Sequence, residues 1–183
     1  MSEHTDIPVE DRQCSRLGLL WRTLARLSSV DASAVTFGAG WPPVSFKNEG
    51  GCMQLNRVFL GAGVRLWAGH EAVLHIGNNT FVDEGTEIIA WQEVNVGDNC
   101  YLGWDVLIVD TDLHGVAGRP VENKPVRIGH GVRIGCRALI LKGVQIGSGA
   151  TIEPGAVVTK NVPENGLARA AVAALRKRIE VPQ

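Results

Sequence analysis

An aliphatic residue returns at every sixth position along the second half of this 183-residue chain. The beat runs through Ile128, Ile134, Ile140, Ile146, Ile152 and Val158, and upstream through Ile76, Val82 and Ile88, then Val96, Leu102 and Ile108. Glycine follows several of these residues, as in IGNNTF, VGDNCY, IGHGVR, IGCRAL and IGSGAT. A period of six is neither the two of a half-buried strand nor the 3.6 of an amphipathic helix. Such self-similarity decides architecture before any local preference does. Three six-residue steps make a coil of about 18 residues with three faces, each coil stacked on the last at a strand spacing of about 4.8 Å. The pattern predicts an all-β solenoid, a triangular parallel β-helix over residues 58–165, with columns of Ile and Val inside.

Two steps break the beat. From Ile88 to Val96 is eight residues, a small corner insertion that holds Trp91. From Ile108 to Ile128 is 20 residues, an excursion over 109–127 that begins VDTDLHG. A long excursion from a rigid scaffold is where function concentrates. Upstream of residue 58 only fragments of the pattern remain, and residues 1–57 are expected to form an irregular cap. Within it, Leu17, Leu20, Trp21, Leu24 and Leu27 share one face of a helix with Arg16, Arg22 and Arg26 elsewhere, suited to covering the open end of the coils. A membrane-surface helix is the alternative for the same segment. Residues 166–183 are Ala-rich with basic residues near the end and are expected to form a second helix.

Composition narrows the function classes. Hydrophobic residues are 45% and aromatics 5%, so the interior is aliphatic. No run approaches the roughly 20 apolar residues of a membrane span, and the polar start MSEHTDIPVEDRQ does not read as a signal peptide, so a cytoplasmic protein is expected. Charge is uneven: Arg119 to Arg178 holds 11 Lys and Arg against 3 acids, and residues 1–118 hold 7 against 15. A basic half suits a phosphate-bearing ligand. Few aromatics interleave with these basics, so nucleic acid is not expected. Cys14, Cys52, Cys100 and Cys136 form no C-x-x-C pair, and reduced, mostly buried thiols are expected rather than a zinc or redox site.

The I-G-x-x-x-x repeats, the histidine-bearing excursion and the closing VVTKNVPEN resemble the hexapeptide-repeat acyltransferases, in particular the galactoside, maltose and glycan O-acetyltransferase branch. The resemblance covers roughly residues 58–165. It implies a left-handed β-helix, a homotrimer, and acetyl-CoA held in a cleft between neighbouring subunits as the acyl donor, with a sugar or glycan hydroxyl as acceptor. His114 matches the family's loop histidine, which acts as general base. A sugar hydroxyl is a weak nucleophile, and a neutral imidazole near its working pH suits that proton transfer. Asp112, Asp110 and Asp105 are nearby in sequence, and one of them is expected to hold the imidazole tautomer; Asp112, two residues away, is the nearest, at a spacing that is short for reaching the ring. The V-V-T-K element falls on Val157, Val158, Thr159 and Lys160, implying that Thr159 and Lys160 meet the pantetheine and a CoA phosphate. Gly103 and Cys136 match positions that line the CoA arm, and Asp83 and Trp104 fall where an acceptor sugar would be met. After VPEN the family's G-N-P-A-K is absent, with Ala170, Ala171 and Val172 in that place; Arg176 or Lys177 are the candidates to replace its lysine. Arg133 stands where relatives often carry tryptophan.

Other readings stay open at this level. N-acetylation of an amino sugar, acetylation of an antibiotic and a non-catalytic trimeric scaffold all suit the same coils. A γ-carbonic-anhydrase-like zinc enzyme would need His70, His75 and His114, but that family's single histidine precedes the pair, and no metal is expected here. A serine acetyltransferase is disfavoured, because its long helical N-terminal domain has no room before residue 58.

Overall fold

The computed structural model describes residues 35–40, 42–114 and 120–170. Among these, the chain winds through eighteen short strands, three to a coil. The first coil comprises β1 (Val35–Phe37), β2 (Ser45–Asn48) and β3 (Cys52–Leu55), and the second β4 (Val58–Leu60), β5 (Arg65–Ala68) and β6 (Val73–Ile76). The third holds β7 (Phe81–Val82), β8 (Glu87–Ala90) and β9 (Glu93–Val96), and the fourth β10 (Tyr101–Leu102), β11 (Leu107–Val109) and β12 (Val126–Ile128). The fifth holds β13 (Arg133–Ile134), β14 (Leu139–Ile140) and β15 (Gln145–Ile146). A sixth has β16 (Thr151–Ile152), β17 (Val157–Val158) and an isolated bridge from Val162 to Ile146, and β18 (Leu167–Ala168) opens one more.

Every third strand pairs, all in parallel, so the coils form three walls: β1-β4-β7-β10-β13-β16-β18, then β2-β5-β8-β11-β14-β17, then β3-β6-β9-β12-β15. The predicted parallel solenoid is the fold observed. The six-residue beat is the register itself: Ile108 pairs Ile88 and Ile140, and Ile128 pairs Val96 and Ile146. Inside, a second column of smaller residues fills the space between the beats, with Val126, Val132, Ala138, Val144, Ala150 and Ala156 all buried. In the third coil a threonine takes that place twice. Thr80 and Thr86 are buried and donate their hydroxyls to the carbonyls of Gly97 and Gly103 in the next coil, which satisfies the polar group within the stack.

The coils extend beyond the boundaries read from the sequence at both ends. Pairing starts at Val35 rather than residue 58, because β1 to β3 sit in the same walls as the regular coils, with Met53 and Leu55 buried. Their corners are longer, which hides the beat. At the other end Leu167–Ala168 is a strand on β16, not the start of a helix. No helix occurs among the described residues; the segments expected to form the N-terminal and C-terminal helices, with Arg176 and Lys177, lie outside them. Cys100 and Cys136 are free thiols, as expected, whereas Cys52 is disulfide-bonded.

Candidate active site at the coil corners

Each coil turns three times, and the predicted residues fall on two of the three corners. The first corner joins wall one to wall two and carries Asp83, Gly103, Trp104 and Cys136 on successive coils. The second joins wall two to wall three and carries Trp91, the excursion with Asp112 and His114, Lys142, and Thr159 with Lys160. One protomer therefore places the candidate base with Thr159 and Lys160 on one edge, and the other candidate donor residues, Gly103 and Cys136, with the candidate acceptor residues on another.

The second corner is built around an acid. Asp110 is fully buried, and its carboxylate accepts hydrogen bonds from the backbone N–H groups of Trp91, Gln92 and Glu93 at 2.7 Å each. Those amides belong to the eight-residue step one coil above, whose extra residues need acceptors outside the regular ladder. Asp110 thus caps the wider corner and roots the excursion to it. Trp91 closes over Gly69, where a Cβ would lie 2.7 Å from the indole, and meets Trp67 with ring centroids 5.7 Å apart. Trp91 is a packing residue.

From this root the chain leaves and returns as two antiparallel arms. Thr111 bridges Asn123, the Lys124 N–H donates to the Asp110 carbonyl at 2.8 Å, and the Gly143 N–H of the next coil donates to the Lys124 carbonyl at 3.0 Å. At the end of the outgoing arm the His114 N–H donates back to the Asp112 carbonyl at 2.7 Å across Leu113, whose φ is +63°. A three-residue turn with a positive central φ is the strained form of the γ-turn, of order 1–3 kcal/mol for a non-glycine residue. It lifts an exposed His114 off the wall. Among the described residues the imidazole has no hydrogen-bond partner.

The acids that the sequence offers it are engaged elsewhere. Asp112 Oδ2 lies 2.6 Å from Lys142 Nζ, and Asp105 Oδ2 lies 3.6 Å from Arg137 Nε. Lys142 also meets Glu122 Oε2 at 2.9 Å, and Glu122 Oε1 meets Lys124 Nζ at 2.8 Å. The hydrogen bond from Lys142 holds the Asp112 carboxyl below its usual range; Lys124, then Lys142, bring Glu122 down to about 2; and Asp112, then Glu122, push the Lys142 ammonium up. Lys142 is a residue that the six-residue beat does not single out, since a polar residue at a solenoid corner looks ordinary.

Below the excursion on the same corner stand exposed Thr159 and Lys160, which line, with Val158, Val162, Leu167 and Arg169, a depression of about 300 Å³ that spans the last coil from wall to wall. On the first corner, buried Gly103 packs under the next turn: a Cβ there would lie 2.8 Å from the Cys136 nitrogen. Asp83 accepts the Tyr101 hydroxyl at 3.1 Å, which raises the tyrosine's pKa, and Trp104 is 49% exposed. His75 Nδ1 lies 3.3 Å from Asn95 Oδ1, and no group of three His, Cys, Asp or Glu able to hold a metal occurs among the described residues.

Comparison with known proteins follows the same lines. Residues 125–160 match the family model for the bacterial transferase hexapeptide (six repeats). The galactoside O-acetyltransferase of Escherichia coli (strain K12) is 33% identical over 105 residues, 52% of this chain and 49% of that protein. A galactoside acetyltransferase structure in complex with coenzyme A superposes with a TM-score of 0.50 at 22% identity, over 84% of this chain and 68% of that one. An N-acyltransferase from Bacillus cereus (AntD), in complex with dTDP-4-amino-4,6-dideoxyglucose and coenzyme A, gives a TM-score of 0.58 at 15% identity, over 79% and 84%. At these identities the structures establish the shared fold, and the chain spans about half the length of the curated relatives it matches. Along its β-helix this chain is therefore similar to the galactoside O-acetyltransferases, with the bacterial transferase hexapeptide match confined to residues 125–160.

Proposed function

We propose that the protein is an acetyl-CoA-dependent O-acetyltransferase acting on a hydroxyl of a sugar or glycan precursor, with His114 as general base. The observation that carries this reading is the one excursion of the regular coils, which sets an exposed histidine on the same corner as Thr159 and Lys160. In the reaction the neutral imidazole takes the hydroxyl proton as the oxygen bonds to the thioester carbon. The tetrahedral oxyanion then collapses, the C–S bond breaks, and the imidazolium returns the proton to the leaving thiolate. Such a base contributes about 10²–10⁴-fold, and holding donor and acceptor together supplies much of the rest.

Lys160, a point charge on a flexible stem, fits a phosphate of the donor. The depression it lines, about 300 Å³, sits at the small end of ligand sites, roughly 300–1,000 Å³, and takes only part of a CoA molecule. The remainder needs a second surface. In a homotrimer closed by rotation, each interface joins two different patches. The second corner of one protomer would then face the first corner of the next and bring Gly103, Cys136, Asp83 and Trp104 up to the donor and acceptor.

The test is a screen of nucleotide sugars and glycans with acetyl-CoA, comparing the parent with His114→Ala. The expected result is acetyl transfer to at least one hydroxyl acceptor, lost in the variant while CoA binding persists. Unchanged turnover in the variant removes His114 as base; transfer to amines alone moves the reading to N-acetylation. Measuring mass in solution with and without CoA tests the trimer.

A further inference from the structure

We infer that Lys142 is a positioning residue for His114: one ammonium on the next coil clamps both arms of the excursion and thereby sets where the imidazole stands. This rests on the reading of His114 as the base. The geometry is specific. Lys142 Nζ bonds Asp112 on the outgoing arm at 2.6 Å and Glu122 on the returning arm at 2.9 Å, and Lys124 meets the second oxygen of Glu122 at 2.8 Å. The side chain of Lys142 is 21% exposed, the least exposed of the four. Two acids and two bases make a neutral cluster, which leaves no net charge to drive the arms apart.

The clamp acts where the arms would otherwise spring. Asp112 provides both the carboxylate that Lys142 holds and the carbonyl that closes the turn to His114, on either side of a strained Leu113. Strained backbone persists only where its surroundings over-determine it. Holding the Asp112 carboxylate restrains the carbonyl of the same residue, three bonds away, and through it the amide of His114. Gly143 reinforces the same point, since its N–H holds the Lys124 carbonyl and its φ of +76° puts the returning arm against the coil. Asp112 therefore serves His114 through the backbone, not as the acid that orients the ring.

The experiment measures CoA thiol release from acetyl-CoA, with water as acceptor and with any acceptor found in the screen, for the parent, His114→Ala, Lys142→Met, Lys142→Arg, Asp112→Asn and Lys142→Met/Asp112→Asn. A misplacement of about 1 Å at a reacting group costs up to ~100-fold, so Lys142→Met is expected to lower kcat by roughly 10- to 100-fold with the KM for acetyl-CoA unchanged. Lys142→Arg, which keeps a cation able to reach both acids, recovers most of the loss. Because Asp112 and Lys142 act as one unit, the double variant is no worse than the weaker single. An unaltered kcat in Lys142→Met, alongside an inactive His114→Ala, overturns the clamp alone. So does a loss that appears equally in KM, or an Asp112→Asn defect that multiplies with that of Lys142→Met, which would make Asp112 the ring's own partner. If His114→Ala releases thiol as fast as the parent, the base assignment itself fails. Should Lys142→Met not fold, Asp112→Asn/Glu122→Gln removes the clamp from its other side under the same expectations.

Discussion

The first and second corners are turns of the same coil with the same beat beneath them, yet they solve different problems. At the first corner each turn nests on the next, and the limiting quantity is backbone distance: Gly61, Gly103 and Gly135 each have the following turn within 3 Å of where a Cβ would be. Nothing can be inserted there without parting the coils. At the second corner the chain has widened twice, at Trp91 and after Val109. The widening exposes amides and arms that the ladder no longer serves, and charged side chains take over: Asp110 for the amides, Lys142 for the arms. This solenoid keeps its regular corner by sterics and its widened corner by electrostatics.

The largest effect that would break this contrast is Asp110→Ala. It strands three amides in a part-buried corner, and an unsatisfied buried donor costs about 1–3 kcal/mol, so a loss of roughly 2–4 kcal/mol is expected, read from the denaturant midpoint. Asp110→Asn, which keeps one oxygen acceptor, should fall between. A loss below about 1 kcal/mol would mean that water serves those amides and that the acid is not the root of the excursion.

The first corner offers the matching test, in two glycines that differ in what restrains them. Gly103→Ala meets backbone atoms at 2.8 and 3.1 Å with no positive φ, and overpacking of this kind costs about 1–3 kcal/mol. Gly155→Ala meets nothing within 4 Å but must hold φ +71°, at about 1 kcal/mol. Gly103 is expected to be the costlier, by thermal or denaturant unfolding, and its variant should also shift Cys136. The reverse order would show that conformation, not nesting, governs the regular corner.

The beat made the three walls and the core columns legible, because each six-residue step is a register step and nothing else in proteins has that period. The break at the excursion was legible for the same reason. What escaped is instructive. The coil from Val35 to Leu55 has buried Met53 and Leu55, but seven residues separate β1 from β2, so no count finds it. Asp110 stood next to the candidate histidine, yet its partners are on a different coil, and only stacking joins them. The same holds for Lys142, thirty residues from Asp112. Nor does linear spacing tell that Gly103 and Lys160 lie on different corners, which requires knowing which strand belongs to which wall.

The smallest effect separates the electrostatic corner from the steric one by pH. Glu122 has a folded pKa of about 2 against 4.5 ordinarily, through Lys124 and Lys142, and Asp112 is lowered in the same direction by Lys142. A depressed carboxylate contributes stability that is whole above its ordinary pKa and disappears as pH falls through the folded value. The contribution of Glu122 should therefore be constant above about pH 4.5 and decline between there and about 2. Both carboxylates are on the surface, so the effect is small and screened by salt. Thermal unfolding of the parent should fall more steeply across that window than that of Glu122→Gln, and the gap should close in roughly 1 M salt, where the screening length is about 3 Å. Gly103→Ala, whose defect is steric, should run parallel to the parent in both pH and salt; if it bends as Glu122→Gln does, the two corners do not differ in kind.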